Sequence, residues 1–196
     1  MVSLTHNEKE ALLILFKEYT TLYNANMLSK RLHISHVGTQ KLLKRLKEEE
    51  LVISKEVGKA IIYRPNMKNE YAEKLITFLL VDEANKYQRW KDEFRELYKK
   101  GRIIMIYGSI LKNYDKATDI DIMLVINQNE VKEIDKILHG RQEILPKKIH
   151  ALKLTEDDLL KNITKKQEAT VDIIKNAIIL YGEDKYVEVV KNVAGF

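Results

Sequence analysis

The sequence predicts an α+β protein: short helices and a hairpin first, then a helical linker, then a mixed sheet with helices. Three observations predict it. Apolar residues recur at helical spacing through residues 7–46 and then give way to two β-rich runs around Gly58-Lys59. A long, charged, amphipathic stretch follows Pro65, over residues 69–100. After it come two apolar, strand-like runs, 102–107 and 119–125, separated by a polar loop. The corresponding domains are 1–66, a linker at 67–101, and 102–196.

The first helix is expected over residues 7–18, with Ala11, Leu12, Leu15 and Phe16 on one face. Asn7 stands as its N-cap, with Glu10 three residues on in capping-box position. A second helix over 26–32 buries Met27 or Leu28 together with Leu32. Ser35 caps a third, which runs to Glu49 with Thr39, Leu42, Leu43 and Leu46 inward. The runs 51–53 and 60–63 read as strands around the Gly58-Lys59 turn.

Composition narrows the class. The chain has 196 residues, 45% hydrophobic and 32% charged, the balance of a folded globular protein. No run reaches the length of a membrane span, and the N-terminus lacks the features of a secretory signal. Zero cysteines excludes disulfides and Cys-based zinc sites and fits a cytoplasmic setting. Residues 1–65 hold eleven Lys/Arg against seven Asp/Glu, whereas 66–196 hold 23 against 22. The positive excess therefore lies in the first third, where a polyanion partner is to be sought.

Helix, helix, helix, hairpin in under 70 residues is the layout of a winged helix-turn-helix. The run from Ile34 to Leu46, closing on Glu50-Leu51-Val52, resembles the recognition helix of winged-helix transcription regulators. The resemblance implies double-stranded DNA as partner. His36, Gln40, Lys41 and Lys44 fall opposite the leucines, with Arg45 at the rim, and Lys55, Lys59 and Arg64 make the wing basic. Lys and Arg would reach phosphates, and Gln40 a base edge. Glu48-Glu49-Glu50 opposes a closely lying duplex, and a solvated face or a protein-contact surface is the competing reading. The stretch 69–100 reads as one broken helix or two joined near Asn85. It serves either as a connector or as the arm of a homodimer reading two half-sites.

Arg102 to Tyr107 ends abruptly at Gly108-Ser109, and ten residues after Ser109 comes Asp119-Ile120-Asp121-Ile122. Strand alternation puts both carboxylates on one face, where they repel each other unless a cation sits between them. Mg²⁺ suits such a place, because it takes oxygen ligands and substrate phosphates. Gly108 lets backbone N–H groups approach a phosphate, and Ser109 adds a hydroxyl. This arrangement resembles the minimal members of the DNA polymerase beta-like nucleotidyltransferase superfamily. In those proteins a hydrophobic strand leads to Gly-Ser, a loop of about ten residues and Asp-hydrophobic-Asp. The late segment 177–184 resembles the ending of archaeal winged-helix proteins fused to this fold.

The resemblance implies transfer of a nucleoside monophosphate from a nucleoside triphosphate. Asp119 and Asp121 would be catalytic and hold Mg²⁺, while Gly108, Ser109 and Lys112 would bind the triphosphate. Lys112 stands where the family usually has Arg, Thr118 where it has Ser, and Asn113 where it has Gly. Asn113 is expected to keep the turn because Asn tolerates a left-handed backbone. A third family carboxylate is absent from the expected strand, 148–154, where His150 is the nearest polar residue and Glu143 lies just upstream. Three functions follow: a DNA-binding regulator whose nucleotidyltransferase-fold domain binds Mg-nucleotide, an active transferase, or an interaction module.

Overall fold

Thr5 starts the chain's first helix, α1 (His6–Lys17). Its hydroxyl accepts from the Glu8 amide, and the Glu8 carboxylate accepts in return from the Thr5 N–H. The capping box therefore sits two residues before the expected Asn7–Glu10 pair. Glu8 is also buried against Arg45, which selects it over Glu10. Asn24 caps α2 (Ala25–Leu32) by accepting from the Met27 amide at 2.9 Å, so Leu28 points inward and Met27 stays exposed. His33 ends α2 in the left-handed region, and Ser35 caps α3 (His36–Glu48) as expected.

The computed structural model describes residues 3–194. Its first unit runs through Leu79, and its second spans Leu80–Val193. In the first, β1 (Val52–Val57) and β2 (Ala60–Pro65) pair antiparallel and turn at Gly58, whose φ of 62° suits a residue without a Cβ. Both strands run longer than the apolar runs suggested, because the polar residues at their far ends still pair. The core joins Leu12 and Leu15 of α1, Leu28 of α2, and Leu43 and Leu46 of α3 to Val52 of β1. Each such leucine contributes about 1.5–3 kcal/mol by burial. Three helices packed on a two-stranded wing are a winged-helix arrangement.

The expected linker is not a separate body. Helix α4 (Glu70–Asn85) begins in the first unit, and Ala72 and Leu79 join that core. The division falls inside the helix, because apolar residues near its start and its end belong to different cores. The helix stops at the expected break, Asn85. Helix α5 (Gln88–Glu93) and a 3₁₀ turn, Arg95–Leu97, follow and give Trp90, Phe94 and Leu97 to the second core.

In the second unit β3 (Ile103–Tyr107) and β4 (Asp119–Val125) are antiparallel. Helix α6 (Val131–Ile144) then returns the chain so that β5 (Lys148–Leu154) lies parallel to β4. Helices α7 (Glu156–Thr164) and α8 (Glu168–Asn176) precede β6 (Ile178–Tyr181), which pairs antiparallel with β3 and leads into α9 (Glu183–Ala194). The order is β5-β4-β3-β6. Ile104, Ile106, Ile120, Ile122 and Leu124 form one buried face against Trp90, Phe94, Ile134 and Leu138. Arg102, just before β3, is buried; its guanidinium donates to Glu130 and Glu133, each at 2.9 Å, and to the Leu97 carbonyl. This mixed sheet with helices, following a winged helix in the chain, is the α+β architecture the sequence predicts. Among the described residues, no helix is long and apolar enough to cross a membrane.

Candidate metal centre and nucleic-acid face

Strand pairing builds the cluster in the second unit. Asp119 and Asp121 share a face of β4, while Ile120 and Ile122 are fully buried on the other. The parallel register sets His150 of β5 opposite Asp121. Its Nδ1 lies 3.4 Å from Asp119 Oδ2 and 3.7 Å from Asp121 Oδ1. One ligand atom from each of the three residues falls within 4.8 Å of the others. The carboxylates are 28% and 26% exposed and the imidazole 48%, so the cluster is open to solvent on one side. Burial, then the neighbouring Asp119 charge, raises the Asp121 carboxyl above the ordinary Asp value, and His150 opposes that shift.

Gly108 ends β3 with φ of 84°. A Cβ there would lie 2.5 Å from Asp121 Oδ2, so glycine is required both for the backbone turn and for the Asp121 carboxylate to sit against it. Ser109 is exposed at the start of a 3₁₀ turn, Ser109–Leu111, and Lys112 closes that turn, exposed, through its amide to the Ser109 carbonyl. Asn113 does not take the left-handed backbone expected of it. It holds the loop with its side chain instead, Oδ1 accepting from the Asp115 and Lys116 amides. Tyr114 is clasped between two cations, Arg89 at 4.1 Å and Lys147 at 4.7 Å from its ring centre, and Lys147 also donates to the Ala117 carbonyl. Arg89, Tyr114 and Lys147 drew no notice in the sequence. Their spacing carries no periodic signal, and only the fold brings them together.

A divalent cation fits two of the three donors well. The carboxylates are ordinary Mg²⁺ ligands, and, among the described residues, no Lys or Arg pairs with either. The third member of the cluster is His150, which offers a ring nitrogen and not a carboxylate. Glu143 is not at the site: it pairs with His139 one turn away on α6, exposed, at 3.5 Å. Its position just upstream of β5 in sequence is spent on the end of a helix that points it to solvent.

In the first unit, α3 turns Thr39, Leu42, Leu43 and Leu46 inward. His36, Gln40, Lys41 and Lys44 are all exposed, as is Lys59 on the wing turn. His36, Gln40 and Lys59 line one open groove of about 310 Å³, together with Asn24, Asn26 and Tyr63. Neither asparagine was singled out in the sequence, where residue 26 reads only as the start of the second helix. Lys41 and Arg45 line a separate recess of about 370 Å³ beside Glu8. Lys44 lies 3.8 Å from Glu48 in an exposed pair of little energetic weight. Arg45 is already engaged: its guanidinium pairs with the buried Glu8 at 3.1 Å and donates to the Ser3 carbonyl. Its position at the rim, which suggested a phosphate contact, is what brings it within reach of Glu8.

No protein-family model matches the chain, and no curated protein matches it. Solved structures that it resembles include the adhesin competence repressor AdcR of Streptococcus pyogenes, at 13% identity, over 74% of this chain and 84% of that one, with a TM-score of 0.39. ZitR of Lactococcus lactis, a zinc-responsive MarR family member, is 18% identical over 73% and 77%, with a TM-score of 0.35. A ZitR mutant in complex with DNA is 17% identical over 74% and 77%, with a TM-score of 0.37. The chain is thus characterised by its own architecture: a winged-helix unit, and a mixed-sheet unit with an Asp-Asp-His cluster on neighbouring strands.

Proposed function

We propose that the protein binds double-stranded DNA through the first unit and a metal-nucleotide complex through the second, acting as a regulator. The observation that carries the DNA reading is the α3 face: four exposed polar or basic side chains opposite four buried ones, beside an exposed wing lysine. Such a face supplies phosphate donors in Lys41, Lys44 and Lys59 and base-edge donors in Gln40 and His36. Fluorescence anisotropy of the full chain with labelled duplexes tests the reading. Binding that weakens steeply with salt supports it, and binding unaffected by Lys41→Ala with Lys44→Ala overturns the role of α3. Light scattering on the same sample reads whether the chain pairs into a homodimer.

The nucleotide reading rests on Asp119 and Asp121 beside Gly108-Ser109, together with the family resemblance of that motif. A bound Mg²⁺ would supply charge neutralisation on the triphosphate. Titration with each of the four ribonucleoside triphosphates and Mg²⁺ tests it; no saturable binding overturns it. The second reading, an active nucleotidyltransferase, is favoured by His150 standing at the third ligand position. Labelled nucleoside monophosphate transferred by the wild type and lost with Asp119→Asn plus Asp121→Asn would establish it.

A further inference from the structure

We propose that Asp119, Asp121 and His150 form a single three-donor cation site that accepts a first-row transition cation, of the Mn²⁺, Co²⁺ and Zn²⁺ class, through the imidazole as well as the carboxylates. The proposal deepens the metal-nucleotide reading by naming the cation class, and it stands on geometry. Ligands around an ion with bonds of 2.0–2.2 Å lie about 3.0–3.5 Å apart in octahedral or tetrahedral arrangement. His150 Nδ1 is 3.4 Å from one carboxylate oxygen and 3.7 Å from the other, so the spacing is close to what an ion needs. One oxygen of each carboxylate and a ring nitrogen of His150 also lie within 4.8 Å of one another, so the three donors converge on one place.

The donors are also held from behind. The parallel register of β4 and β5 continues from Asp119 opposite Lys148 to Val125 opposite Leu154, so the Asp121–His150 pairing cannot slip alone. Asp121 is backed by the Gly108 backbone. The donor set decides the ion. Mg²⁺ is a hard ion that takes oxygen, whereas imidazole suits the borderline first-row cations. A site evolved for Mg²⁺ alone gains nothing from nitrogen at this position. With Asp or Glu there the site would be all oxygen; with His it is two oxygens and a nitrogen.

Zn²⁺ binds nearly any such site more tightly than Mg²⁺ does, so dependence on His150 is the diagnostic quantity. Isothermal titration of the full chain with Mg²⁺, Mn²⁺ and Zn²⁺ alone, with Mn²⁺ also followed by electron paramagnetic resonance, provides it. In His150→Ala, Zn²⁺ and Mn²⁺ affinity is expected to fall by about tenfold to a hundredfold and Mg²⁺ affinity by much less. In His150→Asp the preference shifts toward Mg²⁺, which also shows that the exposed position tolerates replacement. Nitrogen hyperfine coupling on bound Mn²⁺ that vanishes in both variants supports direct ligation. Equal losses for all three ions, or Zn²⁺ binding unaffected by His150→Ala or by Asp119→Asn plus Asp121→Asn, overturn the proposal. Nucleotide titrations separate it from the reading beneath it. Metal bound through His150 with no nucleotide bound sustains the cation site and overturns the nucleotide reading. Nucleotide bound equally with Mg²⁺ or Mn²⁺, indifferent to His150→Ala, does the reverse.

Discussion

The two units carry their candidate sites in opposite ways. The donor face of the first lies along a single helix, where residues three and four apart share a side as soon as α3 forms. The cluster of the second joins Asp119 and Asp121 to His150 across two strands with a whole helix between them in sequence. A helical face is local, and its members are set by periodicity. A cross-strand cluster is set by register, and a one-residue slip of β5 would turn His150 to the face opposite the two carboxylates. The first is a surface that tolerates loss of one member, and the second is a constellation that does not.

The largest expected effect follows from that contrast. Asp119→Asn with Asp121→Asn is expected to lower divalent-cation affinity by at least about a hundredfold, measured by calorimetry. It should leave the thermal unfolding of the metal-free protein unchanged or raised, because it removes two like charges from one strand face. A loss of only a few-fold would place the cation elsewhere.

Next comes the buried ion-pair network at the opposite end of the β3–β4 ladder from the cluster. Arg102 is buried among Glu130, Glu133 and the Leu97 carbonyl. Glu130→Gln is expected to destabilise the second unit by about 2–3 kcal/mol, less than the ~3–5 kcal/mol of a fully broken buried pair, because Glu133 and Leu97 remain. Chemical denaturation reads it. A pH dependence accompanies it. Hydrogen bonds, first from Lys99 and then from Arg102, hold the Glu130 carboxyl down to about 2. A lowered carboxyl contributes its stabilisation in full above the ordinary Glu value and loses it as pH falls toward about 2. The wild type should therefore lose stability between about pH 4.5 and 2 by an amount that Glu130→Gln does not.

A smaller effect is expected on the helical face. Lys41→Ala with Lys44→Ala should weaken duplex binding by about tenfold at moderate salt and reduce the salt slope by about two, close to one for each phosphate left without its lysine. The smallest is at Arg45. Since its guanidinium serves Glu8, Arg45→Ala should lower the stability of the first unit by about 1 kcal/mol in thermal unfolding and leave the salt slope nearly unchanged. A slope that falls by one would return Arg45 to the DNA-facing set.

Residue by residue, what was legible in the sequence follows the same division. The inward faces of α1 and α3, the Gly58 turn, the Ser35 cap and the shared face of Asp119 and Asp121 all rest on local periodicity or turn chemistry. The N-cap of α1 was misplaced by two residues because Asn7–Glu10 and Thr5–Glu8 both have capping-box spacing in sequence. Arg45, on the far side of the fold from Glu8 in chain order, breaks the tie. The loop at 109–118 was expected to turn by a left-handed Asn113, but Asn113 uses its side chain, an option the sequence allows equally.

By itself, then, the sequence determined that a basic helical face precedes a strand bearing two carboxylates on one side, because helix and strand periods are properties of neighbouring residues. Only the tertiary structure decided that His150, and not Glu143, meets those carboxylates, and that Arg45 belongs to Glu8. The physical reason is that parallel pairing of β4 with β5, and the packing of α3 on α1, join segments whose relation is fixed by burial across the whole unit and leaves no mark in the spacing of either.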